Sequence, residues 1–483
     1  MTKRYRLGAA VLALAISAGA LAHPSAARKR ITITEKAVQL WGIDGHTIDG
    51  RLCTVSPDCR HVAYIARRGE KRVVVVDGVE SKEYDEIGAT PVFGQVFSQD
   101  SKHLGYVAKR NAKKFLVVDG VEGKEYDANE FVDGPIFVPE SDRVLYYVGP
   151  GNPPVATRSK ESLVIDGVEG TGYDAILGMA FSRDGKRIAY MAERGLKQLV
   201  VVDGVEGREC DCIDFLTFSA DGKRLVYMAQ RGGKQFVVAN GSEGRRYNIT
   251  GPLKYRLELS ADGKHIAYIA HRGGKLFVVR DGIEGKGYDD IARDSLCFSP
   301  NGKRLAYVAT RGEGAFVVVD GVEGKRYGDV PEYDLVFSPD SKRLAYVART
   351  GRDRFVVVDG IEGRPYDNSG AFITFSPDSK HLAYGGYRDA VEFISVDGVE
   401  RFTKDLSAIT LVFSPDSKHL VYVSSRNRGR LVVVDGVCGK EYDEFPLRSE
   451  IVFDAPNRFH FVAIRGESGK GELVRVEAEI TEQ

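Results

Sequence analysis

Much of what would narrow the function of this 483-residue chain is missing from it. Charge of one sign is the first absence. The 68 Lys and Arg balance 68 Asp and Glu, which argues against wholesale binding to nucleic acid. Cysteine is sparse and unpatterned: Cys53, Cys59, Cys210, Cys212, Cys297 and Cys438 share no fixed spacing. A disulfide framework would reuse positions, and a zinc site would add Cys or His at metal spacing. No metal is expected. No long apolar run follows the first 22 residues, so no later membrane span is expected. Catalytic motifs are lacking too. Gly466-Glu467-Ser468-Gly469-Lys470 is out of phase with a Gly-x-Ser-x-Gly elbow. It also lacks the spacing and hydroxyl of a phosphate-binding loop. Neither catalytic residues nor cofactors are expected.

Residues 1–22 carry Lys3, Arg4 and Arg6, then an apolar run ending Ala20-Leu21-Ala22. A basic head, a short apolar middle and small residues before the cut form a secretory signal. The alternative is an N-terminal anchor, but the run is shorter than the ~20 residues a span needs. No cysteine follows it for a lipid anchor. A periplasmic or secreted protein is expected.

What the chain does have is repetition. FSPDSKRLAY (337–346) has partners beginning at Val55, Phe97, Phe137, Phe181, Phe218, Leu259, Phe298, Phe375 and Phe413, 37 to 44 residues apart. A period near 40 made of short strands predicts β-propeller blades. In one unit, strand a is 334–337, closed by a Ser-Pro-Asp-Ser turn, and strand b is 343–348. Strand c is 355–358, and a short strand d centres on Pro365-Tyr366-Asp367. Asp-Gly and Glu-Gly pairs between c and d supply the positive φ of hairpin turns. Residues 451–477 read as strands a, b and c of one more unit, and 38–45 as the missing d strand. The expected fold is thus all-β, a β-propeller of about eleven four-stranded blade units of roughly 40 residues, spanning residues 31–480. Even spacing favours one oversized ring. The usual limit of about eight blades favours two rings meeting near residue 250.

FSPDSKRLAY, FSPDSKHLVY and FSADGKRLVY resemble the WD40-like repeat of bacterial TolB-type propellers. The resemblance covers nearly all of the chain after residue 22. It implies a secreted or periplasmic propeller used for protein contact. The α/β domain of TolB and the hydrolase domain of prolyl-oligopeptidase-type propellers have no counterpart here.

Because repetition serves the fold, a unique site should lie where one unit departs from the others. Four departures stand out: the insertion 149–162, Tyr384-Gly385-Gly386-Tyr387, Asn240-Gly241-Ser242, and Glu258 within strand a. His61, His103, His265, His381 and His419 share a position filled elsewhere by Arg or Lys and read as strand residues. The Asp of each Ser-Pro-Asp turn reads as a turn cap rather than a calcium ligand. The b–c loops are basic. Arg68, Arg110, Arg194, Arg231, Arg272, Arg311 and Arg426, with Glu258, are the candidate ligand-binding residues. They form either an anion-attracting face or partners of the strand-d Asp. The expected function is a non-enzymatic binding scaffold for another envelope or extracellular protein, or for an anionic polymer. The alternative is a propeller enzyme of lyase or lactonase type, with its site at the channel mouth.

Overall fold

The computed structural model describes residues 31–41, 48–88, 96–150, 160–248, 257–331, 335–367, 373–389, 391–403, 411–426, 429–445, 451–466 and 472–482. The expected signal segment 1–22 and most of the 149–162 insertion lie outside these residues.

Strand-forming sequence dominates because each unit alternates Leu, Val, Ile, Phe and Tyr with small residues. In the eighth unit, Val336–Phe337, Leu344–Thr350, Asp353–Val358 and Ile361–Glu362 pair in sequence order. Successive side chains point to opposite faces of a strand. Leu344, Tyr346 and Ala348 therefore pack on the seventh sheet, while Ala345 and Val356 pack on the ninth. Burying such side chains on both faces stabilises by roughly 1.5–3 kcal/mol for each large one. A lone hairpin could not gain this.

Eleven antiparallel sheets result among the described residues, each with four strands in line. They are the eleven units expected, and the chain is an all-β, propeller-type protein. Each sheet packs on its successor through an apolar cluster. Val226, Met228 and Tyr247 of the fifth meet Leu257, Ile266 and Phe277 of the sixth, so packing runs unbroken past residue 250. The eleventh sheet packs on the tenth through Phe459, Phe461 and Val476. It also meets the first: Val462 joins Cys59 and Val62, and His460 Nε2 lies 2.7 Å from the Asp58 carbonyl.

Strand d differs from the sequence expectation. Its paired residues are Ile361–Glu362, folded tightly onto Val357–Val358. The chain then swings out and returns at Tyr366, which bridges Arg354 at the far end of strand c. The Asp-Gly turns behave as expected, with φ of 52° at Asp359 and 83° at Gly360. The Glu-Gly glycines do not adopt positive φ. At Gly363 a Cβ would sit 3.1 Å from the Val356 carbonyl oxygen, so glycine is there for space.

The N-terminal strand closes the eleventh sheet, but from further upstream than 38–45. Ile31–Trp41 pairs antiparallel with Glu472–Glu482, Ile31 opposite Glu482 and Trp41 opposite Leu473.

Candidate functional site

The candidate arginines do not converge on one pocket. Each sits at the end of strand b in a different sheet. From there Arg68, Arg110, Arg194, Arg231, Arg272 and Arg311 reach back along their own sheets to the glutamate twelve residues on. Arg68–Glu80 is 2.7 Å, Arg110–Glu122 2.7 Å, Arg194–Glu206 2.5 Å, Arg231–Glu243 2.6 Å, Arg272–Glu284 2.6 Å and Arg311–Glu323 3.1 Å. Arg426 ends the strand Leu420–Arg426. The pairing partner is thus this glutamate, not the strand-d aspartate.

Arg110, Arg194 and Arg311 also stack on a tyrosine of the preceding sheet. Arg194 lies 5.4 Å from the Tyr173 ring centre, and Arg311 5.2 Å from Tyr288. The tyrosine hydroxyl then reaches forward to the same glutamate. Tyr173 donates to Glu206 at 2.8 Å and Tyr288 to Glu323 at 3.3 Å. A cation from the preceding sheet often joins, as Lys82 does at Glu122 (3.3 Å) and Lys325 at Glu362 (2.6 Å). The Arg110 guanidinium, with Lys82, holds the Glu122 carboxyl at about 2.

The aspartate after that tyrosine ties the b–c ends together. Asp127 meets Lys113 at 2.5 Å in its own sheet. Asp85, Asp211 and Asp289 likewise take Lys71, Lys197 and Lys275. Their second oxygens accept backbone N–H groups of the next sheet's turn: Asn111 (2.8 Å), Gly232 (2.8 Å) and Gly312 (2.7 Å).

A second set of contacts lies at the a–b turns. Ser98 donates to Asp100 at 2.6 Å, and the His103 amide returns to the Ser98 hydroxyl at 2.9 Å. The aspartate is a turn cap. The shared His/Arg position sits just before strand b and contacts the Asp of the Asp-Gly turn. His61–Asp77, His103–Asp119 and His381–Asp397 are 2.7 Å, and Arg187–Asp203 is 3.0 Å. Histidine and arginine interchange there because each presents an N–H to that carboxylate. This contact with Asp119 raises the His103 pKa. Among the described residues, no three His, Cys, Asp or Glu side chains gather as metal ligands would. Cys210, Cys212 and Cys438 are free thiols.

The departures resolve differently. Asn240 still caps strand b, accepting from the Leu225 amide at 2.8 Å. Gly386 makes room for aromatics: a Cβ there would lie 3.0 Å from Phe393 and 3.2 Å from Tyr366. Both are adaptations of packing. Glu258 is half-buried in Leu257–Leu259, opposite Ala267.

Two features went unnoticed in the sequence. Glu35, on the N-terminal strand, accepts from the Tyr442 hydroxyl at 2.9 Å and from the Lys440 amide at 3.2 Å. It supplies to the eleventh sheet the carboxylate that other sheets draw from strand d. Burial pushes its pKa up. The other is a groove at the outer rim between the first and second sheets, about 280 Å³ in volume. The signal for Glu35 was present as Tyr442, a repeat tyrosine with no following repeat glutamate to receive it.

No family model matches the chain, and no curated protein matches it. Similar solved structures include a crystal structure of the eukaryotic initiation factor, at 13% identity over 71% of this chain and 97% of that one, TM-score 0.38. The β-propeller domain of the Trilobed protease from Pyrococcus furiosus is 14% identical over 58% of this chain and 96% of that one, TM-score 0.28. TolB from Acinetobacter baumannii is 18% identical over 53% of this chain and 75% of that one, TM-score 0.23. The fold assignment rests on the eleven sheets themselves.

Proposed function

We propose that the chain is an exported, non-enzymatic β-propeller scaffold: one ring of eleven sheets that binds another envelope or extracellular protein. The observation that carries this is the use made of the repeated charges. The candidate arginines with a described ion pair each meet a glutamate of their own sheet, and the strand-d aspartates are taken by lysines. Arginines tied in this way make a poor anion-attracting face, because a paired cation projects little net field. They serve the ring, and a protein partner is favoured over an anionic polymer. The signal pattern at 1–22 supports export, as a N-terminus near His23 in the native protein would.

The test is capture. Mature protein immobilised through a C-terminal tag should retain a specific protein from an envelope extract, with retention little changed as salt rises. Retention only of anionic polymer, abolished by moderate salt, would sink the proposal.

A further inference from the structure

One contact that the sheets repeat is missing from the fifth. In each of the other nine of the first ten sheets, the residue before strand b meets the aspartate of the Asp-Gly turn. Histidine does so in the first, second, sixth, ninth and tenth. Arginine does so in the third, fourth, seventh and eighth, its Nε lying 2.8 Å from Asp166, 3.0 Å from Asp203, 3.1 Å from Asp320 and 3.2 Å from Asp359. One carboxylate oxygen takes this N–H. The other accepts the first amide of strand b, as Asp203 does from Ile188 at 2.9 Å. In the fifth sheet the two residues are Arg224 and Asn240. Asn240 keeps the amide contact, its Oδ1 accepting from Leu225 at 2.8 Å. Its second terminal atom is then an NH2, a donor, where the other sheets have an oxygen. The Arg224 side chain keeps only the carbonyls of Gly263 (3.5 Å) and Lys264 (3.0 Å), both through Nη1. Its Nε has no partner among the described residues.

The sequence at this point is chemically labile. Asn240 is followed by Gly241, and both are exposed. Glycine, with no Cβ, hinders attack by its own amide nitrogen least. The Gly241 N–H has no hydrogen-bond partner among the described residues. The chain has a second Asn-Gly pair, Asn301-Gly302, also at a position where other sheets have Asp. It is held far more firmly. Gly302 donates its N–H to the Ser299 carbonyl at 2.7 Å. Asn301 Oδ1 accepts from the Ser299 hydroxyl at 2.8 Å and from the Lys303 amide at 3.0 Å. Attack on the Asn301 side chain must break these three hydrogen bonds. Attack on the Asn240 side chain must break one, to the Leu225 amide.

We infer that Asn240 is a site of spontaneous deamidation, and that its aspartyl product completes the missing contact with Arg224. The Gly241 amide nitrogen attacks Asn240 Cγ. The N–Cγ bond forms, the Cγ–Nδ2 bond breaks, and Nδ2 leaves as ammonia with the proton of the Gly241 amide. One water then opens the cyclic imide at Cγ, its hydroxyl going to that carbon and its proton to the Gly241 nitrogen. The net change is OH for NH2, with water the only co-reactant. Opening at the backbone carbonyl instead gives the β-linked isomer. That isomer lengthens the main chain inside a tight turn held at φ 47° and 79°, between the paired Ala239 and Ser242. It can close to the imide again, so the fold draws the mixture towards the aspartyl form. An ionised carboxylate at this position offers Arg224 Nε the acceptor it lacks, in a charge-assisted bond. This inference does not depend on the scaffold proposal.

The test is peptide mapping of the full-length mature protein, fresh and after incubation in mildly alkaline buffer made with heavy-oxygen water. Fragmentation by electron transfer distinguishes Asp from its β-linked isomer. A free peptide of residues 236–246, incubated alongside, sets the time scale. Asn240 should become Asp carrying one heavy oxygen. It should run roughly tenfold or more ahead of Asn301, which two further hydrogen bonds restrain. Asn240→Asp should shift the Tm upward, and the aged protein should move towards the same value. In an Arg224→Gln background the substitution should bring no upward shift. Asn240 still intact when the free peptide has fully converted would overturn the inference. So would Asn301 reacting first, or the β-linked isomer as the main product. An equal upward shift with and without Arg224 would also overturn it, since the product would then stabilise by some other contact. No shift for Asn240→Asp with Arg224 present would do the same.

Discussion

Glu122 receives Arg110 from its own sheet, and Lys82 and the Tyr84 hydroxyl from the sheet before. Single carboxylates like this one decide how the molecule responds to acid. Its pKa of about 2 lies far below the ordinary carboxylate value, as do those of Asp100, Asp340 and Asp378, each drawn to about 2 first by its serine. A depressed carboxylate stabilises above its unfolded pKa and loses that contribution as pH falls through its folded one. Thermal stability should therefore be flat in these groups above about pH 5 and decline from about pH 4.5 towards pH 2. Melting scans across that range check this. A Tm that rises as pH falls to 3 would contradict it.

Cys210 marks the place where one of these contacts is thinned. It stands where other sheets have the stacking tyrosine, so Arg231 meets its sulfur at 3.3 Å and has a ring only in its own sheet, Phe236 at 5.5 Å. Burial holds the thiol's pKa up. Cys210→Tyr should restore the stack and raise stability by about 0.5–2 kcal/mol, in the range of substitutions towards a consensus. Denaturant titration with an unchanged slope would confirm it.

At the scale of the element, the N-terminal strand is the most exposed to test. Glu35 on it replaces a strand-d glutamate, and its carboxylate sits so close to Gly439 that a Cβ there would come within 2.1 Å of Oε1. Gly439→Ala should cost about 1–3 kcal/mol, as overpacking does. Glu35→Ala should cost about 1–3 kcal/mol by leaving the Tyr442 hydroxyl and Lys440 amide unpaired. Deleting residues 31–41 should do more: it strips the partner from Glu472–Glu482 and opens an eleven-residue edge. Such an edge invites aggregation. Light scattering and melting of the truncated protein provide the test, and a truncation that melts like the full chain would refute closure by this strand.

Most of the fold could be read from the sequence, because the repeat fixes its own strands. Leu344, Tyr346, Val356 and Val357 alternate as buried strands must, and the Asp-Gly turns announce the c–d hairpin. What misled was strand d. Ile361–Glu362 is only two residues long, too short for any periodicity to register. Tyr366 carries the stronger strand propensity and returns as a single bridge. The N-terminal pairing was misplaced for a related reason, since Trp41-Gly42-Ile43-Asp44-Gly45 imitates the c–d ending while the paired segment is Ile31–Trp41. The candidate site was harder. Arg110 and Glu122 are twelve residues apart, so the basic loop looked unpaired until strand b, strand c and the turn brought them to 2.7 Å. The groove between the first and second sheets depends on two sheets meeting, which no single unit records.

For the molecule as a whole, the contacts between sheets add up to one circuit. Repeat proteins behave as chains of nearest-neighbour interfaces, and here the last interface, Val462 with Cys59 and Val62, joins the end of the series to its beginning. His460 and Asp454 of the eleventh sheet reach Asp58 and Arg60 of the first, at 2.7 Å and 3.5 Å. Among the described residues, each sheet then has an apolar neighbour on both faces. Closure of this kind should make unfolding depend on the terminal strand as much as on any internal one.

The single ring is the proposal on which the scaffold reading stands. Class averages of the purified mature protein viewed down its axis by electron microscopy test it directly. One ring with eleven radial densities around a single central channel is the predicted result. Two smaller rings, or an open arc with the first and eleventh sheets apart, would contradict it.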